Sequence, residues 1–206
     1  MSDRLNHTFT AIDRRVRANL ERVLAAMKGH KVGAHHFSGV TGYGYDDMGR
    51  DTLDRVFAEV MGAEAAIVRL QFVSGTHAIA CALFGCLRPG DELVSVAGKP
   101  YDTLEETIGL RGSGSGSLRE FGIAYRQLDL TAAGTLDWQA LPEAIHSRTR
   151  VVHIQRSCGY DWRASISVED IGKIVAIAKA RNPDAIVFVD NCYGEFVETS
   201  EPCHVG

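Results

Sequence analysis

Apolar residues recur along the chain at two different periods, and the change between them divides it. Between Asp13 and Met27, the residues Val16, Leu20, Val23, Leu24 and Met27 fall at helical spacing, which predicts an opening amphipathic helix ended by Gly29. From Lys31 to Gly49 no apolar period holds. Gly33, Gly39, Gly42, Gly44 and Gly49 interrupt His35-His36 and Tyr43-Gly-Tyr45, so an irregular excursion is expected there, on a loop able to carry function. Asp51 to Met61 returns to the helical period, with Leu53, Val56, Phe57 and Val60 on one face.

After Gly62 strand and helix patterns alternate. Strands are expected at Ala65 to Phe72, Glu92 to Ala97, Ile123 to Leu130, Val151 to Ile154 and Ala185 to Val189. Helices are expected at Gly75 to Cys86, Tyr101 to Leu110 and Trp138 to Ile145, where Pro142 fits only a first turn. Ser167 and Asp170 have capping-box spacing, and Ile171, Ile174, Val175 and Ala178 continue that helix. Such βαβ order predicts an α/β fold, a three-layer sandwich around a mostly parallel sheet, preceded by N-terminal helices. The expected division is residues 1–62, helical with a Gly-rich loop, and residues 63–206, the major domain.

Composition narrows the function classes. With 22 Lys and Arg against 26 Asp and Glu the net charge is −4, and no long basic tract appears, which argues against a nucleic-acid partner. Arg14, Arg15, Arg17 and Arg22 read as the wet face of the first helix. No apolar run reaches membrane-spanning length and the N-terminus lacks a signal-peptide core, so a cytoplasmic protein without a membrane partner is expected. Five scattered cysteines, Cys81, Cys86, Cys158, Cys192 and Cys203, fit reduced thiols.

Candidate chemistry gathers where strands end. In open α/β sheets ligands sit beyond the carboxyl ends of the strands, which places Asp190, directly after Ala185 to Val189, at a site position; its other reading is a turn or helix cap. Ser74-Gly75-Thr76 joins the first expected strand to a helix. Free N–H groups, a positive dipole end and two hydroxyls there suit a phosphate, although an ordinary capped turn has the same look. Tyr101 opens the helix after the next strand. A phosphate seat, an aromatic plate and a strand-end carboxylate are together what pyridoxal 5′-phosphate (PLP) requires. No metal site is expected, because His35, His36, His77, Cys192, Cys203 and His204 lack the paired spacing of a zinc site. A cysteine nucleophile at Cys192 or Cys158 has no local support over an inert thiol.

The chain resembles the fold-type I PLP-dependent enzymes, and within them the methionine γ-lyase-like, cystathionine β-lyase-like or aluminium-resistance proteins. The motifs carrying the resemblance are Gly42-Tyr-Gly-Tyr-Asp-Asp-Met-Gly-Arg-Asp-Thr-Leu53, Gln71-Phe-Val-Ser-Gly-Thr-His-Ala78, Arg88-Pro-Gly-Asp-Glu92, Pro100-Tyr-Asp-Thr-Leu104, His153-Ile-Gln-Arg-Ser157 and Val187-Phe-Val-Asp-Asn-Cys-Tyr-Gly-Glu-Phe196. The resemblance implies a carbon–sulfur lyase of cysteine- and homocysteine-type amino acids. It implies that Ser74, Gly75 and Thr76 hold the phosphate, that Tyr101 stacks on the ring and takes part in catalysis, and that Asp190 pairs with the pyridinium nitrogen. Gln155, Ser157 and Tyr193 are implied at the ring edge. Tyr43, Tyr45 and Arg50 are implied to reach the phosphate of a neighbouring subunit in a homodimer or homotetramer.

One departure accompanies the match. The resemblance places the Schiff-base lysine after the segment that ends at Gly206, and Lys28, Lys31, Lys99, Lys173 and Lys179 match no such position. The expectation is therefore an N-terminal portion, inactive by itself, with a catalytically incompetent PLP-, phosphate- or partner-binding module as the alternative. The strands that pair beside Ala65 to Phe72 are expected after Gly206 as well, which leaves that strand without partners.

Overall fold

The computed structural model describes residues 2–40 and 45–206, with side chains from residue 5 onward. Its contacts divide the chain into two compact units: Met1–Gln71 with Glu195–His204, and Phe72–Gly194 with Val205–Gly206.

The first unit holds helices α1 (Ser2–Gly29) and α2 (Met48–Met61). Helix α1 starts well before Asp13 because Leu5, Phe9 and Ile12 extend the apolar period toward the N-terminus. Asp47 caps α2 by accepting from the Arg50 N–H at 3.0 Å. Gly62, at φ +71°, ends that helix in the left-handed conformation that glycine adopts without strain. Val23, Ala26 and Met27 of α1 pack on Val56 and Val60 of α2.

Residues 65–72 correct the first expected strand, since they join no ladder. A strand exists by pairing, and no described segment lies hydrogen-bonded beside this one. Ile67 and Leu70 are therefore exposed, Leu70 at 96%. Asp54 of α2 tethers the stretch instead, accepting from the Val68 N–H at 2.8 Å and from Arg69 Nη1 at 2.7 Å.

The second unit is a parallel sheet between two helical layers. Strands β1 (Glu92–Ser95), β2 (Ala124–Gln127), β3 (Thr149–Gln155) and β4 (Ile186–Asp190) lie in the order β2-β1-β3-β4, all parallel. Helices α3 (Gly75–Cys86) and α4 (Asp102–Ile108) cover one face, α5 (Leu141–Ala144) and α6 (Val168–Arg181) the other. Alternation along each strand feeds both layers. Leu93 and Val151 join Leu83, Leu104 and Ile108, whereas Val94, Val152 and Ile154 join Ile171, Ile174 and Ala178. Each fully buried leucine or isoleucine contributes about 1.5–3 kcal/mol. Local signals agree with this packing: Ser167 caps α6 by accepting from the Asp170 N–H at 3.1 Å, and Pro142 sits in the first turn of α5.

Candidate cofactor site

The carboxyl end of the sheet assembles the residues singled out in the second unit. Ser74 adopts extended backbone and caps α3, its Oγ accepting from the His77 N–H at 3.1 Å. The first N–H groups of the 12-residue α3 have no intrahelical acceptor. A side chain added at Gly75 would meet nothing within 4 Å, so the space over this helix terminus is open.

Thr76 leads from that terminus to the sheet. Its Oγ1 lies 3.1 Å from the Tyr101 hydroxyl and 3.1 Å from Thr103 Oγ1. Tyr101 stands at the N-terminus of α4, and its backbone N–H donates to Gln155 Oε1 at 2.9 Å. Gln155 ends β3 and is the register partner of Asp190, which ends β4. A continuous row thus runs Thr76, Tyr101, Gln155, Asp190. Burial pushes the Tyr101 phenol above its ordinary range; the hydrogen bond with Thr76 opposes the rise and the negative charge of Asp190 adds to it. Asp190 is only 8% exposed, and its Oδ1 accepts from the Cys192 N–H at 3.1 Å.

The other expected residues lie at differing removes. The Ser157 carbonyl accepts from Gln155 Nε2 at 3.3 Å and from the Arg163 guanidinium. Tyr193 has φ +69° and is 83% exposed, so it is not packed into the row. Tyr45 and Arg50 belong to the first unit, Tyr45 exposed and Arg50 in the first turn of α2. Tyr43 lies outside the described residues. An open cleft of about 680 Å³ is lined by Leu130, Trp138, Trp162 and Arg163, and none of Ser74, Thr76, Tyr101 or Asp190 contributes to it.

Two residues emerge here to which pattern reading gave no role, and a third, His153, which it weighed only as the partner of a cysteine nucleophile, takes another place. Thr103 joins the hydroxyl cluster from two positions beyond Tyr101, a spacing visible in the chain but mute without the fold. The buried Arg156 donates to Asn191 Oδ1 at 2.6 Å, to the Gly194 carbonyl at 2.8 Å and to the Ile166 carbonyl at 3.2 Å. It holds the turn that follows Asp190, and a side chain at Gly194 would collide with its guanidinium. His153, one row in from Gln155 on the same face, is fully buried and stacked on Phe188. Burial pushes its pKa down to about 4.

The chain and its fold have close counterparts. Bacillus subtilis protein YnbB is 55% identical over 186 residues, which cover 90% of this chain and 44% of that one. The L-methionine gamma-lyase of Pseudomonas putida is 30% identical over 165 residues, 78% of this chain and 36% of that enzyme. Among solved structures, the carbon-sulfur lyase involved in aluminum resistance from Clostridium novyi NT superposes with a TM-score of 0.93 at 44% identity, covering 100% of this chain and 49% of that one. A Listeria innocua protein assigned provisionally as a cystathionine beta-lyase involved in aluminum resistance gives a TM-score of 0.95 at 50% identity, covering 99% and 50%. The chain therefore spans about half the length of these relatives. The family model for methionine gamma-lyase matches residues 1–206, and the chain belongs to that family.

Proposed function

We propose that the protein of which this chain forms a part is a PLP-dependent carbon–sulfur lyase acting on cysteine- or homocysteine-type amino acids. The observation that carries this reading is the row Thr76–Tyr101–Gln155–Asp190, which runs from a helix N-terminus with open space above Gly75 to a shielded strand-end carboxylate. Those residues fit PLP. Hydroxyls and helix N–H groups suit its phosphate, and an acid at the far end suits its ring nitrogen.

When bound, PLP supplies an electron sink for the charge left on the amino acid's Cα when its proton departs. The chain's own residues do the rest. Ser74, Gly75 and Thr76 bind and orient the phosphate end. Asp190 holds a proton on the ring nitrogen, and Arg156 keeps the turn after Asp190 in place. Tyr101, a phenol and so protonated at neutral pH, gives its proton to the departing sulfur. Lys99 is paired with Glu105 at 3.1 Å, Lys173 with Glu169 and Asp170, and Lys179 with the carbonyls of Pro183 and Ala185. These engagements favour a base from the stretch of the relatives that these residues do not span.

The test is thiol and ammonia release from cystathionine and methionine by the complete gene product, with Asp190→Ala alongside. Turnover in the parent and its loss in the variant, with PLP still partly bound, is the expected result. Turnover close to the parent's in the variant would sink the role given to Asp190. Saturable PLP binding without turnover in the parent would favour the non-catalytic module.

A further inference from the structure

Gln155 carries a side-chain amide with both ends engaged inside the second unit. Its Oε1 accepts from the Tyr101 N–H at 2.9 Å, and its Nε2 donates to the Ser157 carbonyl at 3.3 Å. An amide oxygen cannot donate and an amide nitrogen cannot accept, so these two partners fix which way the group faces. Gly159 crowds the same nitrogen: its φ of +59° favours glycine, and a Cβ there would stand 3.0 Å from Nε2. The backbone that presents the amide is itself held. Gln155 ends β3 in register with Asp190, and its carbonyl accepts from Arg163 Nη2 at 2.8 Å.

Tyr101 depends on that amide. It stands directly before α4, where its N–H meets no main-chain acceptor among the described residues. With Gln155 at its backbone and Thr76 at its hydroxyl, 3.1 Å away, the residue is tied at both ends, one to the sheet and the other to the start of α3. Removing one tie frees the phenol to move about the other, and a proton donor displaced by about 1 Å loses rate steeply.

We infer that Gln155 is a positioning residue for Tyr101, and that its amide serves the place of the phenol rather than the ring edge of the cofactor. The inference rests on the reaction proposed above, with Tyr101 as the proton donor to sulfur. As the carbon–sulfur bond breaks, its electron pair leaves on sulfur, the phenol proton joins it, and water returns a proton to the phenolate. A sulfur that departs readily as a thiolate does not need that proton.

The test compares S-ethylcysteine with S-(nitrophenyl)cysteine, whose thiolate leaves unprotonated, in the complete gene product and in its Gln155→Met variant, which keeps the side-chain length and removes the amide. Gln155→Met is expected to lower kcat for S-ethylcysteine by roughly 10-fold and for the nitrophenyl substrate by less than about 2-fold, with the PLP dissociation constant unchanged within about 2-fold. Gly159→Ala presses on Nε2 from the loop and is expected to give the same pattern at smaller size; it decides the matter if Gln155→Met does not fold. A ring-edge ligand would show instead as weakened PLP binding. Hydrogen exchange at the Tyr101 amide, read without PLP or substrate, is expected to quicken by roughly 10-fold in Gln155→Met. A parent that turns over neither substrate would therefore strike the proposed reaction, while exchange still decides whether Gln155 holds Tyr101. Equal kcat losses for the two substrates, a larger loss of PLP affinity than of kcat, or unchanged exchange at Tyr101 would each overturn the inference.

Discussion

Two carboxylates stand at opposite ends of the same sheet, and their surroundings differ. Glu92 opens β1 at the amino end and is closed off by side chains: Arg126 at 3.0 Å, Thr149 donating at 2.8 Å and His146 at 3.2 Å. Burial pushes its carboxyl up, but the hydrogen bonds from Arg126 and Thr149 and the nearby positive charges outweigh this and hold it below the usual range. Asp190 closes β4 at the carboxyl end, in a row of polar side chains that runs out to an open helix terminus. The first arrangement completes itself within the fold. The second stays open at Gly75, on the edge of the sheet where parallel sheets generally meet their ligands.

The contrast is sharpest in substitution. Asp190→Ala should lower turnover of the complete enzyme by roughly 10²–10³-fold while moving its melting temperature little. Glu92→Gln should do the reverse, leaving turnover per folded molecule intact. An equal loss of turnover from both would erase the distinction.

Acid separates the two ends by window. His153, beneath the carboxyl end, has a folded pKa near 4 against about 6.5 unfolded. Above pH 6.5 it is neutral in both states; between 6.5 and 4 only the unfolded chain takes the proton, so stability falls across that window by on the order of 3 kcal/mol. His153→Phe should flatten the slope in denaturant titrations, and an unchanged slope would contradict the burial account. Glu92 acts lower. Its contribution is present above about pH 4.3, the ordinary carboxylate value, and is lost as the pH falls through the depressed folded value. Glu92→Gln should cost about 2 kcal/mol in urea unfolding at neutral pH, below the figure for fully buried pairs because Arg126 and His146 are more than a third exposed. The smallest effect is expected from Thr76→Val, which removes the hydroxyl shared with Tyr101 and Thr103 and should weaken PLP binding by about 5-fold.

Much of the second unit is legible in the sequence because its elements carry local signals. Helix α3 runs over Gly75–Cys86 as the pattern implies, and the Ser167 cap and the Pro142 turn lie where their chemistry puts them. Parallel order follows from strand and helix alternation. What stayed hidden depends on partners distant in sequence. Apolar spacing marks a face without saying what covers it: Ile171 and Ile174 of α6 are buried, whereas Phe9 and Val16 of α1, at the same kind of spacing, are exposed. Residues 65–72 have the composition of a strand, but pairing is a property of two segments. At the candidate site, Tyr101 and Asp190 are readable from a helix start and a strand end, and Ser74 from its helix start alone, since no paired strand precedes it. Arg156 and Thr103 are not, because their roles arise from contacts with residues 35 and 27 positions away.

The most direct test of the sheet-end account uses the open space at Gly75. Because a side chain there meets nothing within 4 Å, Gly75→Val should fold and melt like the parent while standing where the phosphate would approach. Equilibrium dialysis with PLP should show saturable binding by the parent chain and a large loss of affinity in the variant. Equal PLP affinity in both, or no saturable binding by the parent, would contradict the account.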